Sequence, residues 1–237
     1  MSVFKTFTLL YDREERNIRI NATKQYHPNQ SKIRKDRSDK KYKDEAEKQK
    51  NRRIAIKKEI ENVIKASSYS DICILSMGCR DTGELDFLES VSEKIKTFGI
   101  DLSPNEDERI FTGNVETMDL DASDKELDKI FQNTNIIFSS HNLEHLSDPI
   151  LHFSNIMEKI NNDLVFYYIL PCWNGIAGPT EGHPNYIHCT HTQESFTLGG
   201  FSNYLREVTD YEPEVLFTGY DDFSDDLRVC FRLKSGK

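Results

Sequence analysis

The sequence predicts an α/β fold with a mostly parallel sheet, helices on both faces and a terminal antiparallel hairpin. Three observations predict it. From residue 71 onward, short apolar runs alternate with amphipathic segments, the pattern of strands joined by crossover helices. The run "DLVFYYILP" is apolar almost throughout, as a central parallel strand covered on both faces should be. The last two strand-like runs, "EPEVLFTGYD" and "DLRVCFRLK", are separated by too short a link for a crossover, so they pair antiparallel.

The elements follow in order. Residues 4–22 hold two short alternating stretches, "FTLLY" and "NIRINAT", around the polar "DREER", a weak hairpin pattern. "HPNQSKIRKDRSDKKYKDE" is polar and reads as a loop or helix start. Residues 43–66 contain no Gly or Pro and carry Ile56, Ile60, Val63 and Ile64 at helical spacing, so one face of a helix can dock on a core. Then "DICILSMG" is a strand, "ELDFLESVSEKI" a helix, "TFGIDLS" and "RIFTGNV" two further strands. "SDKELDKIF" is a helix with Ser123 and Glu126 in capping-box spacing. "NIIFSS" is the fourth strand, and "SDPILHFSNIMEKI" a helix with Pro149 near its start. "DLVFYYILP" is the fifth strand, and "THTQESFTLGGF" a helix stopped by Gly199 and Gly200 before the closing hairpin.

Charge divides the 237 residues. Residues 1–66 carry 19 Lys and Arg against 10 Asp and Glu, whereas 67–237 carry 12 against 30. The expected organisation is a basic N-terminal arm over 1–66 and an acidic domain over 67–237. The acidic part argues against a long phosphate-tracking groove, and so against nucleic acid as the main partner. The arm reads best as a solvated helix or one lying on the acidic domain. The chain has no run of about 18 apolar residues and no signal-peptide pattern at its start. Five scattered cysteines without CxxC spacing suit reduced thiols in a cytoplasm.

The informative turn lies in "ILSMGCRDTGELDFL". Gly78 ends the first strand and Gly83 opens the next helix, at the sheet edge where open α/β sheets bind ligands. A dinucleotide fingerprint needs glycine where Arg80 stands, and a P-loop needs Lys where Glu84 follows Gly83. Asp81, Glu84 and Asp86 crowd the turn, disfavouring a pyrophosphate and suiting a ligand with a positive centre. Asp101, about 20 residues further on at the end of the second strand, is placed to accept from ribose hydroxyls.

Together "ILSMGCRDTG", "GIDLSP", "GNVETMDL" and "IIFSSHNLEHLSDP" resemble the successive motifs of class I S-adenosylmethionine-dependent methyltransferases. The phrase "LEHLSDP" points to the branch that carries an LEH phrase and acts on small molecules. The resemblance spans about residues 70–234 and implies a Rossmann-like seven-stranded sheet. It implies S-adenosyl-L-methionine as cofactor. Met77, Gly78 and Cys79 would line its amino-acid end by backbone, Asp101 would hold the ribose, and Leu102 would lie against adenine. Asn114 and Val115 would meet the adenine edge, while Ser140 and His141 would face the methionyl and methyl groups. Two features depart from the pattern: Ser76 replaces the usual acid of the first motif, and "GCRDTG" is one residue longer than the usual turn.

Histidines cluster where the acceptor would lie. His141, Glu144 and His145 follow the fourth strand, and His183, His188 and His191 follow the fifth. If 141–145 turns helical, His141 shares a face with Glu144 and His145. Three readings stand side by side. His141, His145 or His191 serves as general base for a hydroxyl. Alternatively His141, Glu144, His145 and His188 bind Mg or Mn, a spacing similar to that of small-RNA 2′-O-methyltransferases and ubiquinone-pathway O-methyltransferases, with His141 in place of the first Glu. In the third, Glu144 and His145 only bond the backbone. The loop "CWNGIAGPTEGHPNY" reads as a lid over the acceptor. The expected activity is O-methylation of a small polar acceptor by a cytoplasmic enzyme, with a homodimer left open and no membrane partner. The rivals are a metal-assisted RNA methyltransferase using the basic arm and a catalytically silent scaffold of the same fold.

Overall fold

The computed structural model describes residues 39–67, 69–143, 146, 149–160, 164–171, 211–221 and 226–235. The elements are α1 (Asp39–Ala66), β1 (Ile72–Met77), α2 (Thr82–Glu89), β2 (Ile95–Asp101), β3 (Ile110–Asn114) and β4 (Asp119–Leu120). They continue with α3 (Asp124–Asn133), β5 (Ile136–Ser140), α4 (Pro149–Lys159), β6 (Val165–Pro171), β7 (Tyr211–Asp221) and β8 (Asp226–Ser235). The expected N-terminal hairpin, the lid loop and the helix over "THTQESFTLGGF" lie outside the described residues.

One eight-stranded sheet runs β4-β3-β2-β1-β5-β6-β8-β7. The pairs β1–β2, β1–β5, β2–β3 and β5–β6 are parallel. The pairs β6–β8, β7–β8 and β3–β4 are antiparallel. The sequence reading held seven strands. The eighth is β4, a two-residue strand that pairs back on β3 and is too short to leave an apolar period in the sequence. The reading also carried the helix after the glycine turn to residue 95. The structure stops α2 at Glu89, where the Ser90 hydroxyl turns back onto the Phe87 carbonyl (2.6 Å), and Ile95 already begins β2.

The strand side chains sort by parity, as a pleated sheet requires. Ile72, Ile74, Ile136, Phe138, Val165, Tyr167 and Ile169 face one core, shared with Ile56, Ile60 and Val63 of α1 and Leu88 of α2. Leu75, Met77, Ile137, Phe166, Tyr168, Leu170, Val229 and Phe231 face the other, shared with Ile130 and Phe131 of α3 and Phe153 and Ile156 of α4. Both faces are thus covered, which is why β6 reads as one apolar run. The helical stripe foreseen on α1 is the face that docks.

A buried ion pair also fixes α1. Glu59 accepts from Arg228 Nε on β8 at 3.1 Å and from the Tyr167 hydroxyl on β6. Arg228 and Glu59 side chains are only 8% and 18% exposed. At the sheet's outer edge, β7 carries Pro213 and an irregularity between Val215 and Phe217. Cys73, Cys79 and Cys230 are buried free thiols. Among the described residues no helix is long and apolar enough to cross a membrane.

Candidate cofactor site

The chain leaves β1 outward to β2 and β3, then crosses back to β5 on the other side of β1. The crevice at this reversal is where such sheets bind ligands. Register brings its walls to one edge: Met77 lies beside Ile100 and Ser139, and Asp101 beside Thr112.

The turn after β1 is built by backbone conformation. Gly78 has φ 75° and Arg80 φ 62°, left-handed values that cost little only for glycine. A Cβ on Gly78 would lie 2.6 Å from both Cγ and Oδ1 of Asn142. Glycine there therefore lets the chain leaving β5 close against the end of β1. Gly78 N–H donates to the Ile100 carbonyl at 2.7 Å. Asp101 stabilises the left-handed Arg80, since its Oδ2 accepts from Arg80 N–H at 2.8 Å and its Oδ1 from Ser103 N–H at 2.9 Å. Asp81 caps α2 by accepting from Gly83 N–H at 3.0 Å.

Glu84, in the first turn of α2, points back at β1. Its Oε1 accepts from the hydroxyl of Ser76, a fully buried residue. Burial pushes the Glu84 carboxyl up to about 8; the Ser76 hydrogen bond and nearby His141 oppose the rise, while Asp81 and Asp101 add to it. Burial likewise raises the Cys79 thiol, whose sulfur packs against Gly99.

The remaining foreseen residues fall as follows. The side chains of Met77 and Cys79 are buried, so only their backbone faces the turn. Leu102 is half-buried beside Asp101. Asn114 Oδ1 accepts from Glu116 N–H at 2.7 Å, shaping the turn after β3. The Val115 carbonyl is bonded to His152 Nδ1 at 2.7 Å. Ser140 ends β5 and is half-buried. His141 follows with φ 52°, its N–H donating to the Ile169 carbonyl at 3.0 Å. His141 thus lies in a left-handed bend just past the end of β5. Glu144, His145, His183, His188 and His191 lie outside the described residues. Among the described residues no three His, Cys, Asp or Glu side chains come together in a metal-binding group.

Three residues of the site escaped the sequence reading: Glu84 as partner of Ser76, Asn142 against Gly78, and His152 behind Val115. The buried Asn142 amide nitrogen has no hydrogen-bond partner among the described residues.

This sheet order, glycine turn and strand-end acid define the class I S-adenosylmethionine-dependent methyltransferase fold. Among solved structures, the plantazolicin methyltransferase BamL, in complex with a triazolic desmethylPZN analog and SAH, is similar with a TM-score of 0.58, over 98% of this chain and 99% of that one, at 18% identity. The plantazolicin methyltransferase BpumL in complex with SAH gives 0.51 over 95% and 92%, at 14% identity. The CurJ carbon methyltransferase gives 0.50 over 77% and 54%, at 9% identity. At these identities the likeness establishes the fold. No protein-family profile matches the chain, and no curated protein matches it in sequence.

The residues present fit the cofactor of that fold. Carboxylates at the turn suit its cationic groups, the Asn142 amide nitrogen is a buried donor in need of an acceptor, and Asp101 stands at the strand end where a ribose is held.

Proposed function

We propose that the protein is an S-adenosyl-L-methionine-dependent methyltransferase that methylates an oxygen of a small polar acceptor, such as a sugar, sugar nucleotide or phosphorylated metabolite. The observation that carries this reading is the Gly78 turn, held in a left-handed course by Asp101, where the acids Asp81, Glu84 and Asp101 outnumber the one base, Arg80, which is itself paired with Asp81. That lining suits a sulfonium cofactor and repels a pyrophosphate.

When bound, the cofactor supplies an electrophilic methyl group. The chain's part is to align the acceptor, exclude water and take up the proton of a hydroxyl. The backbone of Met77, Gly78 and Cys79, with Asp101, Leu102, Asn114, Val115, Ser140 and His141, would hold the cofactor. His141, just past the end of β5, makes up the set of candidate bases together with His145 and His191. A Mg or Mn ion on His141, Glu144, His145 and His188 is the alternative way to acidify the acceptor. The working location is the cytoplasm, in keeping with the buried free thiols.

Calorimetry with S-adenosylmethionine and S-adenosylhomocysteine tests the reading, on metal-stripped protein and again with Mg²⁺ or Mn²⁺. Micromolar binding to the wild type is expected. Asp101→Ala should weaken it at least about tenfold, because the turn loses its clamp and the ribose its acceptor. No binding by the wild type under any condition would leave the fold as a silent scaffold.

A further inference from the structure

We propose that His152 and Asn155 of α4 are positioning residues that set the nucleobase specificity of the crevice, by holding the turn after β3 through its backbone carbonyls. This rests on the cofactor reading above, in which Asn114 and Val115 meet the adenine edge.

The turn spans residues 115–118, between β3 and β4. Residues 152 and 155 are three apart and so share a face of α4. They take the carbonyls of consecutive residues. His152 Nδ1 donates to the Val115 carbonyl at 2.7 Å, and Asn155 Nδ2 donates to the Glu116 carbonyl at 2.6 Å. The other side of the same two peptide units is held by Asn114, whose Oδ1 accepts from Glu116 N–H at 2.7 Å and from Thr117 N–H at 3.4 Å. Each of these planar units is therefore pinned at its carbonyl by α4 and at its N–H by the last residue of β3. The chain then passes Met118 at φ 53° and turns back into β4.

Packing alone does not require these bonds. Val115 and Met118 already share a core with Phe153 and Ile156 of α4, and non-directional apolar contact would close helix over turn without fixing the rotation of a peptide plane. Hydrogen bonds do fix it, because they are directional. The second bond of His152 extends the hold: Nε2 accepts from the Tyr168 hydroxyl on β6 at 2.5 Å. His152 and Tyr168 are both fully buried, beside the rings of Phe153 and Phe166. Burying such groups in an aromatic core is costly unless every polar atom is paired, and a fully paired chain rigidifies what it joins. This one runs from β6, through α4, to the backbone just past β3. With Oδ1 engaged inside the turn, Asn114 is left its amide nitrogen for a base. A small rotation of the turn would misalign that nitrogen and the Val115 backbone alike.

The test is calorimetry on the full chain with S-adenosylhomocysteine and S-inosylhomocysteine. The two share their sugar and amino-acid groups, but the second presents a carbonyl and an N–H where adenine presents an amino group and a ring nitrogen. The wild type should favour S-adenosylhomocysteine by at least about tenfold. Asn155→Ala, at a half-buried position, should cut that preference about fivefold, through weaker S-adenosylhomocysteine binding. His152→Leu should do the same. His152→Gln can still donate to the carbonyl and accept from the hydroxyl, so it should keep the preference within about twofold of the wild type. A brace that only stabilises the fold would weaken both ligands alike. Equal losses for both ligands, or a preference unchanged in Asn155→Ala, overturns the assignment and leaves the cofactor reading intact, as does a wild type that binds both ligands equally. A wild type that binds neither overturns both. If His152→Leu does not fold, Asn155→Ala decides by itself.

Discussion

His152 is a buried residue on α4 with both ring nitrogens engaged. The Val115 carbonyl can only accept, so Nδ1 carries the proton and Nε2 accepts from the Tyr168 hydroxyl at 2.5 Å. Burial holds the ring neutral, with its pKa down at about 4. The unfolded chain therefore binds more protons than the folded one between about pH 6.5 and 4, and stability falls as pH drops through that window. The expected loss is up to about 3 kcal/mol. Glutamine can donate to the carbonyl and accept from the hydroxyl, so urea melts of His152→Gln across this range should fall less steeply than the wild type. Equal slopes would refute the assignment. Nothing in "ILHFSNIMEKI" reveals this role, because the partners lie on β6 and past β3. Glu84 was hidden for a related reason: its link to Ser76 spans a turn whose two left-handed residues cannot be read from composition. Gly78 and Asp101 were legible, because strand ends and glycine leave local signals.

At the scale of elements, parity and periodicity did most of the work. The apolar runs located the seven long strands, and the docking stripe of α1 followed from Ile56, Ile60 and Val63. The capping box of α3 was read correctly: the Glu126 carboxylate accepts from Ser123 N–H at 3.1 Å and from its hydroxyl at 2.5 Å. That pairing holds the Glu126 carboxyl below its ordinary value. Ser123→Ala should cost about 1 kcal/mol, seen calorimetrically as a melting temperature lowered by about 2–4 °C. Element ends were less legible. α2 stops early because the Ser90 hydroxyl and the chain's turn into β2 intervene, and β4 exists because Gly113 admits a close neighbour. A Cβ on Gly113 would sit 2.5 Å from the Asp119 carbonyl oxygen. Both are decisions of tertiary packing.

Across the whole molecule, the charge division of the sequence meets a specific joint. The basic helix α1 is fastened to an otherwise acidic chain through Glu59, an acid within the basic segment, and Arg228, a base within the acidic one. Each carries the minority charge of its own half, which is why net charge could not locate the contact. Removing Glu59 leaves Arg228 Nε and the Tyr167 hydroxyl short of their shared acceptor. Glu59→Ala should therefore destabilise by about 3 kcal/mol in urea melts, and a loss below about 1 kcal/mol would show the joint to be incidental. The rims of the sheet carry a different consequence. One ends in the two-residue β4, and the other in β7, where Pro213 withholds a donor and the irregularity at Val215 and Phe217 bends the ladder. Such rims are poor templates for a foreign strand. Among the described residues, a sheet eight strands wide thus offers a second copy little unbroken ladder to extend, even with Val215 and Leu216 exposed at 41% and 38%.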